Sequence, residues 1–211
     1  MRDARTPAPP ALTGSDRIAL WAVAGISFVV AAAWVVVAIT RAVAPYVFSQ
    51  PVGAELLPLD GRTDTRSVDG VTNSLAGAET VSVSADAFSA GPIAQIVATS
   101  ALEALIISAV AAILGITIVR IGQGRPFQRL LYRLGITAGG AMAIGGLIVE
   151  LLGGGGRMAI ASEINARLGD ERFITGFTID PAPIAMGFAV IALATVFLLG
   201  ERLQRDTEGL V

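Results

Sequence analysis

Glu103 is the residue with the most chemical potential in this chain, a carboxylate about ten residues inside an apolar stretch. A carboxylate in hydrocarbon costs roughly 2.5 kcal/mol or more, and residues of this kind often serve as protonatable or cation-binding groups on an ion or proton path. The alternative starts the span near Val97, which leaves Glu103 only about 9 Å deep by helical rise and bonded to Ser100, Thr99 or loop groups. Glu150 closes another apolar stretch, and Arg157 follows two turns later across a glycine run. That spacing permits an ion pair; a carboxylate snorkelling at a membrane edge is the simpler expectation. Four consecutive glycines, Gly153 to Gly156, resemble a phosphate-cradling loop only superficially, because neither a preceding strand nor a Lys-Ser/Thr ending accompanies them.

The chain contains no cysteine and no histidine. Disulfides, thiolate nucleophiles, zinc-thiolate sites and the usual general base near neutral pH are thereby removed. No nucleophile stands beside a base, and no metal-ligand cluster is visible, so neither an enzyme activity nor a cofactor is expected.

The elements that position these residues are set by hydropathy. With 54% hydrophobic residues, 15% charged ones and a mean hydropathy of +0.70, the chain lies outside the range of soluble domains. The expected fold is all-α and membrane-embedded, a bundle of four transmembrane helices with a small extracytoplasmic element. A polar tail, 1–17, precedes span one at 18–40, long enough to cross a hydrocarbon core of about 30 Å. Ala42, Val43 and Ala44 imitate a signal-peptidase site, but the apolar run exceeds the usual leader length and Arg41 interrupts it. Span two is expected at 93–119, span three at 134–152 and span four at 184–200, followed by a polar tail, 201–211. Gly135, Gly139 and Ala143, with Ala141 and Gly145, set small residues four apart in span three and allow close helix contact. Trp21, Tyr46 and Tyr132 fall near span ends, where aromatic rings anchor a helix without any activity.

Two longer polar segments, 41–92 and 153–183, lie between spans. In the first, Thr80 to Ala85 alternates as a half-buried strand, whereas Asp60 to Asn73 reads as turns. In the second, the glycine run is expected to break the helix. A short amphipathic helix, Met158 to Leu168, then lies on the membrane surface, and Phe173 to Ile179 pairs with the Thr80–Phe88 segment.

Arginine placement sets the threading. The connector 120–133 holds Arg120, Arg125, Arg129 and Arg133 with no acid, while the segment from Arg41 to Pro92 mixes three arginines with six acids. The positive-inside rule therefore places the connector and both ends in the cytoplasm of a bacterial cell, with the longer segments outside its inner membrane. A net charge of -2 gives no basic footprint, so direct nucleic-acid binding is not expected.

The connector reads Ile118-Val119-Arg120-Ile121-Gly122-Gln123-Gly124-Arg125-Pro126-Phe127, and Leu131-Tyr132-Arg133-Leu134-Gly135 opens the next span. Together with the closing Leu203 to Val211, it resembles a bacterial family of four-span membrane proteins, a domain of unknown function with a Gly-x-Pro-Phe turn between spans two and three. The resemblance implies no enzyme activity. It implies a cytoplasmic partner, a helix-turn-helix regulator of the Cro/C1 type encoded beside the membrane protein. Physically, Gly124 frees the backbone, Pro126 favours a helix start and Phe127 can plug the bundle mouth. The leading expectation is a binding or regulatory membrane component. The alternative is an ion or small-solute transporter subunit using Glu103, which needs a partner or self-assembly into a homo-oligomer.

Overall fold

The computed structural model describes residues 14–56, 59, 68–73, 80–123, 129–176 and 179–208. Helix accounts for 78% of them, in α1 (Gly14–Val47), α2 (Ala90–Gly122), α3 (Arg129–Leu168) and α4 (Ala182–Glu208). All four are long and apolar enough to cross a membrane. Each is longer than its apolar run predicts, because hydropathy marks only the lipid-compatible part of a helix. Helix α1 closes where Ser49 adopts a left-handed conformation, with φ of 49°, and Gln50 N–H reaches back to the Ala44 carbonyl.

Three short strands, β1 (Val52–Glu55), β2 (Val71–Asn73) and β3 (Thr80–Val83), form an antiparallel sheet in the order β1-β3-β2. The register pairs Val52 with Val83 and Ala54 with Val81, and all four side chains point into one core. The alternation read at Thr80–Ala85 is strand β3. Its partners are β1 and β2, the latter lying in part of the segment expected to turn. Among the described residues the expected pairing of Phe173–Ile179 with Thr80–Phe88 does not form: β3 pairs with β1 and β2, and Phe173 is a single bridge residue with a buried ring.

The glycine run does not break the chain. Helix α3 continues through Gly153–Gly156 for 40 residues, although each glycine costs about 1 kcal/mol relative to alanine. The reason is non-local. A Cβ at Gly153 would stand 3.3 Å from Thr99 Oγ1, and one at Gly156 3.0 Å from Ile96 and 3.1 Å from the Pro92 carbonyl, so the missing side chains let α2 lie against α3. Met158–Leu168 is accordingly not a separate surface helix. It is the end of α3, where Ile160 and Ile164, both 0% exposed, pack under the sheet.

The ends of α2 and α3 thus project beyond their apolar lengths and join the sheet in one small domain. Its core combines Val81, Val83 and Phe88 with Ile93 and Ile96 of α2 and Ile160 and Ile164 of α3. Among the described residues the helices pack in sequence, α1 on α2, α2 on α3 and α3 on α4, with no other helix pair in more than marginal contact. The four helices are thus arranged as an open row. The row is held by small interfaces: Ser108 Oγ donates to the Ala31 carbonyl at 2.8 Å, and Gly115 lies under the Phe28 ring.

Candidate functional site

The charged residues of the spans fall at two levels. Glu103 precedes Arg120 by 17 residues on α2, and Glu150 follows Arg133 by 17 residues on α3. At 1.5 Å per residue both separations are about 26 Å, and Arg17 to Arg41 on α1 is about 36 Å. These lengths bracket a hydrocarbon core of about 30 Å. Glu103 and Glu150 therefore share one level, at the sheet-end edge of the apolar length rather than at its middle.

At that edge Arg41 Nη1 stands 3.5 Å from Glu103 Oε2 and donates to the Ser100 carbonyl at 3.3 Å. The guanidinium also lies 5.8 Å from the centre of the Trp34 ring, two turns back along α1. Of the groups expected to hold Glu103, the Thr99 and Ser100 hydroxyls donate instead to carbonyls of their own helix, whereas Arg41, the first residue of the 41–92 segment, does reach it. On α3, Arg157 reaches back across the glycines to Glu150 at 3.2 Å and outward to Glu55 of β1 at 3.6 Å. One arginine thus ties the span, the helix beyond the glycines and the sheet together, realising the ion pair that the spacing allows.

A second node closes the domain. Arg167 donates to the carbonyls of Asp69 (3.1 Å) and Ala87 and to Glu163 at 2.8 Å, with its guanidinium 4.2 Å over the Phe88 ring. Glu163 accepts from the Ser89 amide at the start of α2. Burial pushes its carboxyl up, but hydrogen bonds from Ser89 and Arg167 outweigh that and hold it below the ordinary value of 4.5. Since the folded value lies below the unfolded one, this stabilisation is present above 4.5 and is lost as pH falls through the folded value. Amide exchange of the sheet should show an acid-side loss of protection that is smaller in Glu163→Gln; an identical pH profile would rule this contribution out. Asn165 completes the node, accepting from the amides of Arg172 and Phe173 and donating to the Phe173 carbonyl.

At the opposite end Arg120 lies in the last turn of α2, and Arg133 is exposed on the first turns of α3. Gly124, Arg125, Pro126 and Phe127 lie outside the described residues. Gly135 packs as the small-residue spacing of span three suggests, since a Cβ there would meet Ala194 of α4 at 2.5 Å. Sequence reading missed Arg41, Glu55, Asn165 and Arg167 as partners. For Arg41 and Arg167 a signal existed, a charge ending an apolar run and an acid one turn earlier. For Glu55 there was none.

Among the described residues no group of three or more Asp or Glu side chains converges to hold a metal ion. Fold and charge levels together define a multi-pass membrane protein with a small folded domain at one end of its helices. No family model matches the chain, and neither a curated protein nor a solved structure matches it.

Proposed function

We propose that this is a regulatory component of the bacterial inner membrane, sensing at the sheet domain outside and reporting through α2 and α3 to the arginine-rich connector inside. One observation carries the reading: the two helices that supply the floor of the sheet domain are the two joined by residues 123–128 at their other ends. A displacement of the domain core moves the helix ends it is built from, and continuous helices carry that movement to the connector. The partner proposed there is a cytoplasmic helix-turn-helix regulator, on the strength of the Gly124-Arg125-Pro126-Phe127 resemblance. The transporter reading has less support, because Glu103 sits at the edge of the apolar length and already faces Arg41.

The absence of cysteine makes the test direct. A single Gln123→Cys variant should react with a membrane-impermeant maleimide only after the cells are opened, and the chain should co-purify from native membranes in mild detergent with a DNA-binding regulator. Replacing Arg120, Arg125 and Arg133 together by Gln should abolish that recovery. Labelling of Gln123→Cys in intact cells, or recovery of no regulator, would overturn the reading.

A further inference from the structure

The Arg41–Glu103 pair is built unlike the Arg167–Glu163 pair of the sheet domain. Arg167 and Glu163 close to 2.8 Å, within the range of a charge-assisted hydrogen bond. Arg41 and Glu103 stand 3.5 Å apart, with side chains 41% and 55% exposed. Both hydrogen bonds of Arg41 leave from Nη1. Among the described residues Nε and Nη2 of Arg41 and Oε1 of Glu103 make no hydrogen bond to protein. Unfilled charged atoms are costly at this position, because the pair lies on the α1–α2 flank, at the edge of the apolar length and not in bulk water.

We propose that Arg41 and Glu103 form a headgroup site for a zwitterionic phospholipid bearing a primary ammonium, a phosphoethanolamine lipid. Arg41 takes the phosphate through its free guanidinium donors, and Glu103 accepts from the ammonium. The chemistry discriminates among headgroups. An anionic lipid at Arg41 meets the Glu103 charge a few ångströms away, so the acid weakens it. A choline headgroup carries the positive charge but no N–H to give to Oε1. Only a headgroup with an anion and a donating cation satisfies both side chains at once. A lipid rather than a soluble zwitterion is indicated by depth: the pair is at the hydrocarbon boundary, and Trp34, two turns into the apolar length on the same side of α1, provides the surface for the acyl chain. The inference is independent of which side of the membrane the sheet domain faces.

The chain has two tryptophans, so a Trp21→Phe variant leaves Trp34 as the sole reporter. Reconstituted in phosphatidylcholine vesicles with equal fractions of brominated lipids, Trp34 should favour brominated phosphatidylethanolamine over brominated phosphatidylcholine or phosphatidylglycerol by about fivefold in apparent association. Arg41→Gln and Glu103→Gln should each abolish the preference, and excess soluble phosphoethanolamine should leave the quenching intact. Equal quenching by all three lipids, a preference for phosphatidylglycerol, survival of the preference in both variants, or relief by the soluble headgroup would overturn the assignment. The unmodified chain supplies an independent measurement. Released from vesicles of the three lipids in equal amounts, it should carry phosphatidylethanolamine adducts in native mass spectra, and equal adducts would overturn the site.

Discussion

Gly139→Leu is expected to destabilise the helix row by about 2 kcal/mol or more, read as a lower midpoint in thermal or dodecyl-sulfate unfolding, while Gly140→Ala, one residue along, changes little. The contrast comes from the α3–α4 crossing. A Cβ on Gly139 would lie 2.6 Å from the Gly187 carbonyl oxygen, and a Cβ on Gly187 would lie 2.6 Å from the Gly139 oxygen and the Ala143 amide nitrogen. At Gly140 nothing lies within 4 Å. The two backbones therefore approach most closely at Gly139 and Gly187, where neither helix has room for a side chain. In lipid, where burying apolar surface gives no advantage over leaving it exposed, close backbone approach is a principal source of helix association. Leucine forces the two helices apart at this crossing, and among the described residues α4 has no more than marginal contact with any other helix. A Gly139→Leu protein as stable as the parent would refute this crossing.

Arg167→Ala should strip hydrogen-exchange protection from β3 and from the end of α3 while leaving the middle of the spans protected, a loss of about 2–4 kcal/mol confined to the sheet domain. The side chain binds two carbonyls in the segments before β2 and α2, pairs with Glu163 and covers Phe88. Its removal orphans the carbonyls and loosens a ring that lies in the core. Arg167→Lys keeps the charge but not the planar fork, and should recover only part of the loss. Unchanged protection of Val81 and Val83 in Arg167→Ala would show that the node does not hold the domain.

The four spans were readable from sequence because lipid compatibility is a property of composition over some twenty residues. Strand β3 was readable because Val81 and Val83 alternate with Ser82 and Ser84. The ion pair of Glu150 and Arg157 was open to sequence only as the lesser alternative to a snorkelling carboxylate, because the glycines between them were expected to break the helix that in fact carries both. What escaped depends on contacts between distant residues. Propensity says that Gly153–Gly156 should end a helix, and only Thr99 and Ile96, more than fifty positions earlier, explain why it does not. Glu103 looked unaccompanied because its partner Arg41 is 62 residues away. Nothing in a hydropathy profile separates a closed bundle from an open row, since both bury one face of each neighbour.

The open row also bears on how the chain is made. Each span needs only the one synthesised before it, so α2 can dock on α1, and α3 on α2, as each enters the membrane, without waiting for α4. The sheet strands emerge between α1 and α2, ahead of both helices that floor them. The domain therefore stays unfinished until the far end of α3 arrives with Ile160, Ile164 and Arg167, and the completion of that helix is the step that closes the sheet domain over its core.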